Sequence, residues 1–298
     1  MSGAASPSSS SPPFPAPFGP AWSASLRRGT DAELRGWVEA ALGWCDDADA
    51  VSLGHFRRNP EMRQKADRSW VTEADTAVER LIRERIADAF PDHGVVGEEL
   101  GDDGGGASVR WFVDPIDGTH NYLRGVPIWG TLLGVERDGE LQAGVMSAPA
   151  LGGRWYAWRG GGAWAMELGT SPRALRVSGV TTLAEAAIST ASHAELDGSG
   201  LAPGLHRLLD TVWRDRGYGD FWAYALVAGG AIDAMLELDL SIWDAAAPAV
   251  IVEEAGGRIT DFEGRRVFDS GTTLATNGVL HEAVRSMLAS ASRGGEPR

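Results

Sequence analysis

Apolar residues in the first third of the chain recur every three or four positions, which is the spacing of one face of a helix. Thr30 and Glu33 stand three residues apart at the start of one such segment and predict a capping box. Thr72 and Asp75 have the same spacing before a second segment, which Pro91 ends. We therefore predict two amphipathic helices. Their apolar faces comprise Leu34, Trp37, Val38, Ala41, Leu42 and Cys45 in the first helix, and Val78, Leu81, Ile82, Ile86, Ala89 and Phe90 in the second.

After the second helix, the pattern changes to short apolar runs that are typical of strands. Two of these runs end directly in carboxylates, with Glu98 and Glu99 after the first and Asp114 after the second. A later pair of runs is joined by Asp138-Gly139, a dipeptide that favours a tight hairpin turn. The predicted strands form a meander and cover residues 95–97, 111–113, 128–135, 141–146 and 155–164.

From Leu183 onward, helical and extended patterns alternate. Gly256-Gly257 ends one of the helices, because glycine readily adopts the left-handed conformation of a helix C-cap. The predicted helices cover residues 201–213, 221–232, 243–255 and 277–291, and the predicted strands cover residues 234–238 and 258–262. The chain is therefore of mixed α and β type, and its pattern changes near Val180.

Composition narrows the classes of partner. The 298 residues suffice for one bilobed domain or two packed domains. The 27 Lys and Arg residues against 41 Asp and Glu residues give a net charge of −14, which disfavours nucleic acids and anionic membranes as partners. No apolar stretch reaches the roughly 18 residues of a membrane span. Residues 1–22, rich in Ser, Pro, Ala and Gly, are predicted to form a disordered tail, and the single cysteine, Cys45, is typical of the reducing cytoplasm.

The segment Asp114-Pro115-Ile116-Asp117-Gly118-Thr119 carries the most informative chemistry. Two carboxylates three residues apart, with a rigid proline between them, can be aimed at one point, where a backbone carbonyl can join them. Oxygen-only ligands favour Mg²⁺ over zinc, and consecutive N–H groups after a glycine attract phosphate. Metal and phosphate together indicate phosphoryl transfer. Taken alone, the segment is equally compatible with an acidic turn.

Two other acidic positions favour a metal site over a simple acidic turn. Glu98 follows a neighbouring strand, and the ends of adjacent strands can meet at one edge of a sheet. Asp244 follows Trp243 at the start of a predicted helix, where it can serve either as a ligand or as a capping residue that complements the helix dipole. The order of these acids along the chain decides between the two interpretations.

Glu98, the 114–119 segment and Trp243-Asp244, preceded by Val71-Thr72-Glu73-Ala74-Asp75, resemble the inositol monophosphatase family of Mg²⁺-dependent, Li⁺-sensitive phosphatases. The resemblance extends over residues 31–291. It implies an α+β fold, a layered αβαβα sandwich of the inositol monophosphatase and fructose-1,6-bisphosphatase type. Residues 23–180 would form an amino-terminal α+β lobe with the metal-binding motifs, and residues 181–298 an α/β lobe that completes the metal and substrate site.

The resemblance also implies roles for individual residues. The implied Mg²⁺ ligands are Glu98, Asp114, the Ile116 carbonyl, Asp117 and Asp244, with Asp75 bordering an additional Mg²⁺ through water. The implied catalytic groups are Glu98, Asp117 and Thr119, and the implied substrate contacts are Gly118, Thr119, Asp220 and Glu237. The reaction would be direct attack of a metal-activated water on phosphorus, without a covalent enzyme intermediate.

Within the family, residues 121–129 and 216–222 are similar to the bacterial histidinol-phosphate phosphatase branch, although His120 stands where that branch often has Lys or Arg. This similarity implies hydrolysis of L-histidinol phosphate to L-histidinol and phosphate, a step of histidine biosynthesis. The substrate carries an ammonium group and an imidazole, which carboxylates such as Asp220 and Glu237 suit. A capping role for Asp220 is nearly as well supported by its position.

The sequence is compatible with several alternatives. Inositol 1-phosphate, sugar bisphosphates and nucleotide phosphates are alternative substrates, because pocket specificity depends on few contacts. A haloacid dehalogenase type of phosphatase is disfavoured, because its loop aspartates are two residues apart rather than three. A non-catalytic protein-binding regulator is disfavoured by the intact set of acids, which are costly to keep together without a cation. The family also suggests a homodimer, although no segment of the sequence identifies an interface.

Overall fold

The computed structural model describes residues 31–58, 62–64, 70–167, 169–190, 192, 196 and 199–289. The predicted disordered tail and Thr30 lie outside these residues. The helices are α1 (Ala32–His55), α2 (Glu73–Ala89), α3 (Thr119–Leu123), α4 (Ala202–Thr211), α5 (Asp220–Ala228), α6 (Ile242–Glu254) and α7 (His281–Ala289), with one turn of 3-10 helix at Leu183–Glu185.

The first two helices begin at different kinds of cap. At α2 the predicted capping box is confirmed: the Thr72 side chain accepts the N–H of Asp75, and the Asp75 side chain accepts the N–H of Thr72. At α1 the predicted Thr30 cap is wrong, because the N-cap is Asp31, whose carboxylate accepts the N–H groups of Glu33 and Leu34. An acid one residue later therefore satisfies the free amides of the first turn.

The strands of the described residues form three sheets. Their bounds are β1 (Met62–Gln64), β2 (Trp70–Thr72), β3 (Gly94–Gly97), β4 (Gly101–Asp102), β5 (Val109–Asp117), β6 (Gly130–Arg137), β7 (Glu140–Ala148), β8 (Gly153–Trp158), β9 (Gly162–Glu167), β10 (Arg173–Ala174), β11 (Ala187–Thr190), β12 (Arg214–Arg216), β13 (Ala234–Leu238), β14 (Arg258–Thr260) and β15 (Thr272–Thr276). The short β1 and β2 pair with each other. The eight-stranded sheet has the order β10-β9-β8-β7-β6-β5-β3-β4, and the five-stranded sheet has the order β12-β11-β13-β15-β14.

The eight-stranded sheet contains the predicted meander. Its neighbouring strands are antiparallel except for β3 and β5, which run parallel. The predicted hairpin between β6 and β7 is confirmed, with positive φ angles of 53° at Asp138 and 83° at Gly139, as a two-residue turn of this kind requires.

The end of the chain differs from its prediction. The predicted helix over residues 277–291 is wrong in its first part, because α7 begins only at His281. Asn277 holds the preceding segment outside the helix: its Oδ1 accepts the N–H of Leu280, and its Nδ2 donates to the Val180 carbonyl. Before it, β15 pairs with β13 on one side and with β14 on the other, a strand that the sequence pattern did not predict.

The layers follow from the alternation of side chains along the strands. On β5, Trp111 and Val113 join the apolar core under α1 and α2, whereas Phe112 joins the core around α5 and α6. The helices α4 and α7 cover the far face of the five-stranded sheet. The order is helices, sheet, helices, sheet, helices, which confirms the predicted αβαβα sandwich. The predicted division near residue 180 stays a prediction; the eight-stranded sheet precedes it and the five-stranded sheet follows it.

Helix α6 lies unusually close to the eight-stranded sheet. A Cβ atom at Gly134 of β6 would lie 2.5 Å from the Cβ of Ala246, and one at Gly144 of β7 would lie 2.5 Å from the Ala247 carbonyl oxygen. Glycine opposite alanine therefore allows the helix to approach, which brings its N-terminus beside the end of β5. Among the described residues, no helix is long and apolar enough to cross a membrane.

Candidate active site

Two parallel strands place the first acids of the site. Gly97 at the end of β3 pairs with Val113 of β5, so the next residues of the two strands, Glu98 and Asp114, lie side by side. The N–H of Glu98 donates to the Val113 carbonyl at 3.2 Å, which extends the pairing by one residue. The predicted convergence of carboxylates at one sheet edge therefore has its physical basis in strand direction.

The 114–119 segment is an irregular end of β5. The register against β6 shifts between Asp114 and Asp117, and the Ile116 N–H donates to Asp114 Oδ1 at 3.0 Å. The Thr119 hydroxyl donates to the Ile116 carbonyl at 3.1 Å. These bonds hold the segment as a local turn whose acids face the same region.

Gly118 is required by the shape of this turn. Its φ angle is 78°, which side chains rarely tolerate. A Cβ atom there would lie 2.9 Å from the Ile128 carbonyl oxygen and 3.1 Å from Asp220 Oδ2. The glycine thus leaves the space in which the second half of the chain approaches the turn.

Asp244 arrives at the site from the start of α6. It is the third residue of the helix, and its Oδ2 accepts the N–H of Ser241 at 2.7 Å in a capping box. The capping role considered from the sequence is therefore real. It does not exclude a second role, because a carboxylate has two oxygens and several acceptor positions.

Asp114, Asp117 and Asp244 converge, with one ligand atom of each within 4.8 Å of the others. Asp114 is buried, and the other two are partly exposed. Burial raises the pKa of Asp114 and of Asp117 well above the usual range, and neighbouring carboxylates raise both further. Burial also raises the pKa of Asp244 to about 7. Acids that suppress one another's ionisation in this way fit a bound cation, which would restore their charged form.

Asp75 and Glu98 border this cluster. Asp75 is buried, its Oδ2 accepts the Thr72 N–H at 2.8 Å, and its Oδ1 has no hydrogen-bond partner among the described residues. Burial raises the pKa of Asp75 to about 6, and the charge of Glu98 acts in the same direction. The charge of Glu98 also raises the pKa of Asp114 and of Asp244. Three of the predicted metal ligands, Asp114, Asp117 and Asp244, are therefore brought together, with Asp75 and Glu98 beside them. Their carboxylate oxygens fit a hard cation.

A cleft of about 490 Å³ opens beside the cluster, and Asp117 and Asp244 form part of its wall. The predicted substrate contacts Asp220 and Glu237 line the same cleft. Asp220 begins α5 with a φ angle of 50°, and its Oδ2 accepts the Asn121 side-chain amide at 2.9 Å. The next residue, Phe221, donates its N–H to Asp117 Oδ2 at 2.7 Å.

The sequence prediction missed other residues of this cleft. Thr190 and Ser192 line it; Thr190 ends β11, a strand that was not predicted, and Ser192 lies just after it. Tyr224 lies behind it and donates its hydroxyl to Glu237 Oε2 at 2.6 Å. Its spacing of four residues from Asp220 on one helix is the signal that could have identified it.

Comparisons with known proteins agree with this geometry. The model of the inositol monophosphatase family matches residues 33–293. Histidinol-phosphatase of Mycobacterium tuberculosis is 43% identical over 249 residues, which cover 83% of this chain and 96% of that protein. Histidinol-phosphatase of Streptomyces coelicolor is 44% identical over 248 residues, which cover 82% of this chain and 93% of that protein.

A solved structure shows the same fold. The IMPase of Thermotoga maritima superposes with a TM-score of 0.76 at 30% sequence identity, and the match covers 86% of this chain and 98% of that one. Fold, acidic cluster and family match lead to one conclusion: the chain belongs to the inositol monophosphatase family of metal-dependent phosphatases, which act on small phosphomonoesters.

Proposed function

We propose that this protein uses Mg²⁺ to hydrolyse L-histidinol phosphate to L-histidinol and phosphate. The observation that carries the proposal is the pair of carboxylates, Asp220 and Glu237, in the wall of the cleft beside the acidic cluster. Histidinol phosphate is cationic at its alcohol end, and charge-assisted hydrogen bonds to carboxylates would hold that end. The similarity to two histidinol-phosphatases at 43% and 44% identity supports the same substrate.

Mg²⁺ is the proposed metal because all the proposed donors are oxygens. Asp114, Asp117 and Asp244 would bind it through their carboxylates, together with Glu98 and the Ile116 carbonyl. Asp75 would border an additional ion through water. When bound, Mg²⁺ acts as a Lewis acid that makes water more acidic and offsets charge on the phosphate.

The proposed reaction transfers the phosphoryl group to water. A water oxygen forms a bond to phosphorus, the bond between phosphorus and the histidinol oxygen breaks, and the leaving oxygen takes up a proton, so that the net reaction moves one proton from the water to the alcohol. Glu98 would accept the proton that the water loses, and the Thr119 hydroxyl would orient the water. The N–H groups of Gly118 and Thr119 would face the phosphate, and Asp220 and Glu237 would hold the amine and imidazole.

The state of the single cysteine supports a cytoplasmic location for this protein. Cys45 is buried and forms no disulfide, which suits the reducing cytoplasm.

A homodimer stays a prediction. Size-exclusion chromatography measures the oligomeric state directly.

Phosphate release from L-histidinol phosphate and from myo-inositol 1-phosphate, each with Mg²⁺ and with EDTA, tests the proposal. We expect strong preference for histidinol phosphate and loss of turnover in EDTA. Preference for inositol phosphate would contradict the substrate and keep the metal chemistry. Absence of turnover on both would favour the non-catalytic alternative.

Two variants test whether Asp220 contacts the substrate. Asp220→Asn should raise KM for histidinol phosphate, because the neutral amide attracts the cationic substrate less strongly than the carboxylate does. Asp210→Asn removes a carboxylate from an exposed position on α4 and serves as the matched control. An unchanged KM in the Asp220 variant would contradict its role as a substrate contact.

A further inference from the structure

We propose that Glu79 is a positioning residue that fixes Glu98 for metal binding. Glu79 lies on α2, and its side chain is fully buried, at 0% exposure. The inference rests on the proposed function only in taking Glu98 as a metal ligand. It does not depend on which phosphomonoester is the substrate.

The Glu79 carboxylate accepts the backbone of the turn that follows β3. Its Oε2 accepts the N–H of Glu99 at 2.7 Å, and its Oε1 accepts the N–H of Leu100 at 3.1 Å. Two consecutive amides on one carboxylate fix both the position and the direction of this turn. Hydrogen bonds to an ionised acceptor of this kind are the short and strong ones.

Glu98 lies between two such attachments. Its own N–H donates to Val113 of β5 at 3.2 Å, and the following two N–H groups donate to Glu79. The peptide before Glu98 is therefore tied to the strand that carries Asp114, and the peptide after it is tied to α2. The carboxylate of Glu98 has little freedom to leave the cluster while both attachments hold.

Gly97 provides the space for this arrangement. A Cβ atom at this position would lie 2.1 Å from Glu79 Oε1 and 2.4 Å from its Cδ. Gly97 belongs to β3 and is therefore needed for the close approach of the carboxylate rather than for a turn. Any larger residue would displace Glu79 from the amides that it accepts.

Arg83 completes the attachment from the next turn of α2. Its Nε donates to Glu79 Oε1 at 2.9 Å, and its Nη1 donates to Asp103 Oδ2 at 2.7 Å. A further hydrogen bond joins its guanidinium to the Gly101 carbonyl. The arginine thus neutralises the buried acid and closes the far side of the same loop.

Helix α2 therefore supports both acids that border the cluster. Asp75 and Glu79 are four residues apart and so lie on the same side of α2. Asp75 borders the cluster directly, whereas Glu79 acts on it through Glu98. Replacing a residue that holds a metal ligand in place typically weakens metal binding by about 10- to 100-fold.

Mg²⁺ binding measured by isothermal titration calorimetry tests the inference without substrate. We expect Glu79→Gln to weaken Mg²⁺ binding by about 10- to 100-fold, because an amide presents one acceptor oxygen instead of two. At limiting Mg²⁺ turnover should fall, and at saturating Mg²⁺ most of it should return. Glu84→Gln, an exposed position on the same helix, should leave Mg²⁺ affinity and turnover unchanged.

Circular dichroism and the thermal midpoint establish that each variant is folded. Gly97→Ala displaces the Glu79 carboxylate without changing it and should weaken Mg²⁺ binding in the same way, so it decides the matter where Glu79→Gln fails to fold. A folded Glu79 or Gly97 variant with Mg²⁺ affinity within about twofold of the wild type would overturn the inference. A wild-type protein that binds no Mg²⁺ would overturn it together with the metal proposal, whereas a different substrate preference would overturn only the proposed substrate.

Discussion

At the scale of single residues, Asp117 connects two halves of the chain. It ends β5 within the acidic cluster, and its Oδ2 accepts the N–H of Phe221 at the start of α5 at 2.7 Å. Burial is the main cause of its raised pKa, and Asp220 and Asp244 add to the effect. A carboxylate held this way is organised to bind a cation at a fixed point.

Asp117→Asn should abolish phosphatase activity, with a loss of about 1000-fold or more, because an amide cannot supply the charge that a metal ligand provides. The measurement is kcat at saturating Mg²⁺ and substrate. The fold should persist, since the amide oxygen can still accept the Phe221 N–H.

Asp138→Asn is the matched control for this substitution. Asp138 is exposed in the β6–β7 turn with a positive φ angle, which asparagine also tolerates. This variant should keep wild-type turnover. Near-normal turnover in the Asp117 variant would exclude Asp117 from the catalytic site.

At the scale of elements, α5 organises the wall of the cleft. It begins with Asp220, whose positive φ angle turns the chain into the helix. One turn later, Tyr224 donates its hydroxyl to Glu237 of β13 at 2.6 Å and also contacts the Thr273 hydroxyl of β15. A nine-residue helix therefore places one carboxylate directly and orients a second one from behind.

Tyr224→Phe should raise KM for L-histidinol phosphate by about tenfold and leave kcat within about twofold, because a hydrogen bond to a charged group contributes about 1.5–3 kcal/mol. The KM for p-nitrophenyl phosphate, which has no cationic alcohol, should not change. Steady-state kinetics on both substrates measure the difference.

A double-mutant cycle with Glu237→Gln separates this effect from a general loss of packing. If Tyr224 acts through Glu237, its replacement should add little in the Glu237→Gln background. Additive effects, or an equal rise in KM for both substrates, would show that Tyr224 does not act through Glu237.

At the scale of the whole molecule, the acidic cluster links stability to pH and to metal. The pKa of Asp244 is raised to about 7, chiefly by burial. A carboxyl group with a raised pKa in the folded state contributes stability at low pH, and this contribution is lost as the pH rises through the folded pKa. A bound cation reverses this loss, because it binds the ionised carboxylates of the folded protein.

In EDTA, the thermal midpoint should therefore be lower at pH 8 than at pH 6.5, and Mg²⁺ should raise it more at pH 8. His281, whose pKa is lowered to about 4 by burial, acts in the opposite sense, but mainly below its ordinary value of about 6.5. The interval from pH 6.5 to pH 8 therefore excludes most of the effect of His281 on the thermal midpoint. Scanning calorimetry at the two pH values, with and without Mg²⁺, gives the comparison.

Asp244→Asn is the control for this pH dependence. It removes the titrating group and should reduce both the fall in thermal midpoint between pH 6.5 and pH 8 and the stabilisation by Mg²⁺. A metal-free protein whose thermal midpoint rises over this interval would contradict the argument.

The sequence by itself determined the features that depend on neighbours within a few residues. The Thr72–Asp75 capping box, the Asp138-Gly139 hairpin and the left-handed Gly256 after α6 arise from local hydrogen bonds and backbone preferences, which residue type specifies. The 114–119 segment was also recognisable, because the spacing of its acids is set by the local chain. The roles of these acids in metal binding and catalysis stay predictions.

The tertiary structure alone decided what depends on contacts across long separations. Strand β15 lies inside its sheet because β13 and β14 pair with it on either side, and no strand was predicted for its residues. Asp244 reaches the cluster because Gly134 and Gly144 let α6 approach the sheet. Glu79 accepts amides of the turn after β3, and Tyr224 donates to Glu237 of β13; the partners of both residues lie on other elements, so the sequence does not show these contacts. Their energies come from burial and from hydrogen bonds that exist only once the layers have packed.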